Sequence, residues 1–176
     1  MNGNQTILTL GAFAFLSVML LNFNTTVALT GTDIMSGEDG ILAATIATSY
    51  LELAQGTAFD EVTDTSDAAI ANPSVLTNPS TLGPEDASED SVQHFNDFDD
   101  FNGLSLEKEV NGTHRRFKTM FEVHYVDPGD IKTITSTRTF LKRLDLKTWR
   151  IFPPPGETER IDTLRSSLVM GYFHFD

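Results

Sequence analysis

The chain has 176 residues, 40% of them hydrophobic, with 12 Lys+Arg against 25 Asp+Glu for a formal net charge of -13, and no cysteine. That length supports one modest globular domain, and the acidic balance disfavours nucleic-acid binding as well as docking onto anionic lipid through a basic patch. The absence of cysteine removes disulfides, thiol catalysis and thiolate metal sites.

The charge is polarised along the sequence. Residues 1–107 carry 16 acidic groups and no Lys or Arg, whereas residues 108–176 carry 12 basic and 9 acidic groups, so that -16 and +3 make up the total. An apolar and acidic front therefore precedes a charge-balanced, aromatic-rich back.

The front opens with Ile7 to Leu21, an unbroken run of apolar and small residues, and stays uncharged through Phe23, Val27, Ala28 and Leu29. A helix from about Asn4 to Leu29 is long enough to cross ~30 Å of hydrocarbon. Residues 1–29 are thus expected to form a transmembrane helix. A secretory signal peptide cut after Ala28 is the alternative, but Met1 to Thr6 lack the usual basic residues and Asn22 to Thr26 make a polar approach to the cut. Neither flank offers the Lys or Arg counted by the positive-inside rule. The short, nearly neutral N-terminus is expected on the cytoplasmic side and the bulk of the chain outside. Gly11, Ala12, Ala14 and Ser17 would let helices approach closely, so Ile7, Leu8, Gly11, Ala12, Ala14, Phe15, Ser17 and Leu21 are the candidate assembly surface.

Residues 30–56 read as a helical extension. Gly31, Gly37 and Gly40 suggest a hinge or a locally melted turn, and Ser36 followed by Asp39 is a weak variant of a capping box. Ile41/Leu42, Thr45/Ile46, Ser49/Tyr50 and Leu53 then recur at helical spacing, with Ala43, Ala44 and Ala47 between them. This stripe, represented by Ile41, Leu42, Ile46, Tyr50 and Leu53, is expected to pack on a sheet and to end near Gln55-Gly56.

Residues 57–103 form an acidic loop region. Thr57 to Asp90 is rich in Thr, Ser, Asp, Asn and Pro, which predicts an extended, solvated loop. Phe95, Phe98 and Phe101 would then share one face of a helical turn, with Asp97, Asp99, Asp100 and Asn102 facing outward or capping backbone N–H groups. A calcium loop of the EF-hand type is not expected, because Phe101 stands two residues after Asp99 and no Glu falls at the twelfth position. No metal site or cofactor is expected.

From Leu104 the period becomes two, and residues 104–176 are expected to form an antiparallel sheet domain. Leu104 to Val110 runs into Asn111-Gly112, a strong hairpin signal expected to occupy the centre of a type I′ turn. The chain returns through Thr113 to Val126, with Phe117, Thr119, Phe121, Val123 and Tyr125 on one face, and Asp127-Pro-Gly-Asp130 makes the next turn. Phe140 to Phe152 alternates Leu144 and Leu146 with Arg143, Asp145 and Lys147, Pro153 to Gly156 ends it, and Thr163 to Phe175 is the last strand. The expected fold is α+β: a long N-terminal helix, transmembrane then amphipathic, packed on a four-stranded antiparallel sheet.

This order of parts resembles type IV pilin-like proteins, the minor pilins and secretion pseudopilins. The likeness lies in the apolar helix, the second helical half from Ile41 to Gln55 followed by Ala58-Phe59-Asp60, the polar loop, Asp97 to Gly103 and the sheet. It covers nearly the whole chain and rests on organisation. The basic leader and the Glu at the fifth mature position have no counterpart, for if Gly3 were the last leader residue, Leu8 would stand there. The resemblance implies a structural subunit or assembly component of a type IV pilus-like or type II secretion-like filament. It would be anchored by its helix in the inner membrane, with the sheet domain periplasmic or extracellular, and its partners would be other pilin-like subunits or itself. An exported, membrane-anchored or secreted β-rich binding module of the envelope is the alternative. An enzyme is not expected: His94, His114, His124 and His174 are scattered, and neither a Gly-x-Ser-x-Gly elbow nor a phosphate loop occurs.

Overall fold

The structure, a computed structural model, describes residues 3–65, 69–154 and 162–173. Helix α1 spans Gly3–Gln55, and the chain divides into two compact units at the Gly40/Ile41 junction.

Within the first unit the helical backbone continues through Gly31, Gly37 and Gly40, so the expected melted joint is not observed. The polar residues of this stretch are accommodated by the helix itself. Ser17 donates to the Phe13 carbonyl at 2.8 Å, and Thr25, Thr26 and Thr30 donate to the carbonyls four residues earlier, each at 2.9 Å. Such back-bonding hides hydroxyls that would otherwise be unpaired in hydrocarbon.

The second unit contains the rest of α1, a short helix α2 (Glu61–Thr65) and five strands: β1 (Ser105–Val110), β2 (Arg115–Asp127), β3 (Asp130–Ile134), β4 (Leu141–Phe152) and β5 (Leu164–Gly171). All pairings are antiparallel, in the order β1-β2-β4-β5, and β3 pairs with the far end of β2. The class is α+β as expected, with five strands in place of four. The missed strand, β3, is exposed at every residue and so lacks the half-buried alternation that marks the others. Gly156, His174 and Phe175 lie outside the described residues.

Alternation explains the sheet. Phe117, Thr119, Phe121, Val123 and Tyr125 of β2 are buried on one face, as expected, and meet Thr148, Leu146, Leu144 and Lys142 of β4 across the ladder. The other face carries ion pairs, including Lys147 with Glu122 at 2.9 Å and Arg143 with Asp145 at 2.8 Å.

The helix on this core is rotated from its expected setting. Ala43, Ile46, Ala47 and Ala54 are buried and Leu42, Tyr50 and Leu51 pack at the margin, but Ile41 and Leu53 are 69% and 52% exposed. The contact stripe is therefore centred about one residue further along, roughly 100° around the helix. The reason is steric, since alanines let the helix backbone approach the sheet while Tyr50 reaches down to Phe121, edge to face at 5.2 Å.

The β1–β2 connection also differs from expectation. Val110 pairs with Arg115, which leaves Asn111 to His114 as a four-residue loop. Thr113 N–H donates to the Val110 carbonyl at 3.2 Å, and positive φ falls on Gly112 (81°) and His114 (52°) but not on Asn111. Type I′ needs positive φ at both central residues, so a positive φ at Gly112 alone of the two excludes it.

Candidate functional site

Two features of the molecule stand apart from ordinary packing. The first is the apolar stretch of α1. Ile7, Leu8, Phe15 and Leu21 are exposed, Gly11, Ala12, Ala14 and Ser17 are exposed beside them, and Leu10, Phe13, Leu16, Val18, Met19 and Leu20 complete an apolar surface around the helix. Among the described residues this is one helix long and apolar enough to cross a membrane, and its most apolar window is 0% buried. A helix apolar on all sides and covered by nothing is a poor element for water. A Cβ added at Gly11 would meet nothing within 4 Å.

The second feature is a seat of charge beneath the loop that precedes the sheet. Strand β4 enters at Lys142, whose side chain follows the same phase as Leu144 and Leu146 and is therefore driven into the core. Its ammonium donates to the Phe59 carbonyl at 2.9 Å, to Asp60 Oδ2 at 2.8 Å and to Asp99 Oδ1. The rings of Phe59 and Tyr125 lie 4.8 and 5.5 Å from it. Tyr125 in turn donates its hydroxyl to the Thr77 carbonyl at 2.8 Å, so Lys142 and Tyr125 together gather segments around residues 59, 77 and 99.

The segment 96–102 is folded by its own side chains. Asp97 Oδ1 accepts from the N–H groups of Asp99 (2.8 Å) and Asp100 (3.2 Å), while Asp100 Oδ2 accepts from those of Asn96 (3.0 Å) and Asp97 (3.2 Å). Asn102 clamps the segment, donating to the Leu82 carbonyl and accepting from Val123 N–H, each at 2.9 Å. This knot turns Phe98 and Phe101 into the core, where Phe95 stacks edge to face on Phe101 at 5.1 Å. The expected aromatic packing and backbone capping are thus observed. The expected solvation of the acids is not: Asp97, Asp99 and Asp100 are buried, because Lys142 and the backbone amides draw them inward. The loop 57–90 is likewise less solvated than expected, with Phe59, Asp60, Leu76 and Glu89 buried.

Crowded acids resist ionisation. Burial, reinforced by the Asp99 charge and opposed by Lys142, pushes Asp97 up to about 8. Glu85 is pushed up to about 7 by desolvation first and then by Asp99, Asp100 and Glu89. Asp99 and Asp100 are also raised, chiefly by burial, and the same cause raises Tyr125.

None of the candidate assembly residues, Ile7 to Leu21, contributes to this seat. Lys142 was not singled out from the sequence, although a lysine in phase with two core leucines is a visible signal. Among the described residues the histidines do not converge either: His94 pairs with Asp90 at 2.9 Å on the surface, His114 lies in the β1–β2 loop and His124 sits on the outer sheet face near Glu122. No protein-family model, curated protein or solved structure matches the chain.

Proposed function

We propose that the chain is a non-catalytic, membrane-anchored structural subunit or assembly component of a type IV pilus-like or type II secretion-like filament. The observation that carries this reading is the uncovered apolar surface of α1 from Ile7 to Leu29, in a chain whose residues from Ile41 onward build a compact α+β unit of their own. Such a helix is satisfied by lipid or by neighbouring helices, and Gly11, Ala12, Ala14 and Ser17 offer the small side chains that close helix packing needs. In this reading α1 crosses the inner membrane with its N-terminus cytoplasmic, and the sheet unit is displayed on the periplasmic or extracellular side. Its partners are pilin-like subunits, further copies of itself included. The resemblance in order of parts supports the assignment; the hydroxyl back-bonding from Ser17 to Thr30 supports residence of the helix in an apolar medium.

Intact-mass measurement of the chain recovered from carbonate-washed membranes tests the anchor. A chain retaining Ile7 to Ala28 supports it, and a chain beginning at Leu29 would leave only an exported β-rich module. Cross-linking of Gly11→Leu then tests assembly. The larger side chain strains nothing within the helix's own fold, so reduced cross-linking would report lost helix–helix approach. Wild-type cross-linking in that variant would rule out packing through this face.

A further inference from the structure

The ammonium of Lys142 has three hydrogens and three acceptors, on Phe59, Asp60 and Asp99, and so has no donor left for the other acids. Asp97, Asp99 and Asp100 are each no more than 1% exposed. Each engages one carboxylate oxygen, yet Asp97 Oδ2, Asp99 Oδ2 and Asp100 Oδ1 are buried with no hydrogen-bond partner. A buried polar atom left unpaired is costly, and three in one seat are rare in a native protein. Their neighbours are further carboxylates. Oxygens of Glu85, Asp97 and Asp99 lie within 4.8 Å of one another, and so do oxygens of Glu85, Glu89 and Asp100.

That separation has a simple meaning. Two oxygens bound to one calcium ion at ~2.4 Å can stand no more than ~4.8 Å apart. We propose that Glu85, Asp97 and Asp99 form a site for one hard divalent cation of the calcium class, with Glu89 and Asp100, which group with Glu85 separately, beside them. All the donors are oxygen, which disfavours zinc and copper, and they come from an irregular loop, which suits the variable coordination of calcium better than the strict octahedron of magnesium. Exposed Glu85 belongs to both groups and lies at the rim, where the ion would enter. Lys142 and the cation divide the work: the lysine holds Asp60 and one oxygen of Asp99, while the ion takes the oxygens that face away from it. The site is independent of the membrane reading, since every ligand belongs to the unit that follows Gly40.

The test is a titration of the full chain in detergent micelles, stripped with EDTA, with CaCl2 at constant ionic strength. Calorimetry should show one saturable event, and the melting temperature should rise with CaCl2. Glu85→Gln should weaken binding by about tenfold or more, and Asp97→Asn should abolish it. Glu52→Gln, on an exposed part of α1, should bind as the wild type does. Should Asp97→Asn fail to fold, Glu85→Gln decides, because Glu85 is exposed. Absence of a saturable event in the wild type up to about 10 mM CaCl2, above the ~0.1–1 mM range of extracellular calcium modules, would overturn the proposal. Wild-type affinity in Glu85→Gln would do the same, and equal affinity for MgCl2 would overturn the assignment to calcium.

Discussion

Lys142→Met is the sharpest probe of how the second unit is held together. Methionine preserves most of the length and apolar character of the stem and removes the ammonium. The wild-type ammonium sits 2.8 Å from Asp60 Oδ2, with lysine and aspartate side chains both 0% exposed, and also bonds Asp99 and the Phe59 carbonyl. At an effective dielectric of 20, one such contact has a Coulomb energy of about 6 kcal/mol, but desolvation of both partners cancels much of it. What remains after truncation is the cost of carboxylates left buried without a partner, about 3–5 kcal/mol. For a unit of this size that corresponds to roughly 10 °C or more in melting temperature. The measurement is thermal unfolding of the full chain in detergent, followed by near-UV circular dichroism of the aromatic core. A second substitution, Asp99→Asn in the Lys142→Met background, should recover part of the loss by removing one of the stranded charges. If Lys142→Met melts within about 2 °C of the wild type, Lys142 does not hold the loop as described.

The rotated helix setting makes a paired prediction: Leu53→Ala, at an exposed site, should change stability by no more than about 0.5 kcal/mol, whereas Ala54→Leu, at a site 0% exposed, should cost about 1–3 kcal/mol by overpacking; denaturant melts of the two variants check both. Gly112→Val should destabilise the β1–β2 hairpin by about 1 kcal/mol or more, because a β-branched residue must adopt the φ of 81° there, and unchanged melting would place the strain elsewhere. Ala14→Asp should lose about 2.5–3.5 kcal/mol of insertion free energy and release the chain from membranes on carbonate extraction. Asp145 gives a pH dependence: its burial raises the carboxyl, but hydrogen bonds from Arg143 and Ser167 outweigh burial and leave it below the ordinary carboxylate value. A depressed folded value means stability that is present above the unfolded value and lost as pH falls through the folded one, so Asp145→Asn should flatten the acid limb of a melting-temperature profile.

Much of the second unit was legible because it is written in short periods. Strands β1, β2, β4 and β5, the turn at Asp127 to Asp130 and the burial of Phe98 and Phe101 follow from alternation and local turn chemistry. The helix setting was harder, since large side chains marked Ile41 and Leu53 as core while backbone proximity favoured the small ones, Ala43, Ala47 and Ala54. Turn type escaped because Asn-Gly fits more than one turn, and the register of the flanking strands chose a four-residue loop. The acidic seat was illegible for a different reason. Nothing near Asp60 or Asp99 announces a cation, and the one that binds them lies 82 and 43 residues further along.

That distance bears on the order in which the chain can settle. Every acid from Asp33 to Glu107 precedes the first basic residue, Lys108, so as the polypeptide emerges its acidic middle has no internal counter-charge. Self-repulsion keeps that stretch open, and closing loops this long carries an entropic cost that delays their contacts. The β2–β4 ladder aims Lys142 inward, so it is expected to form before the segments bearing Asp60 and Asp99 lock down upon it. Completion of the loop is thereby made a late event, a seal applied after the sheet exists, and the seal stays beyond reach of a chain truncated before β4.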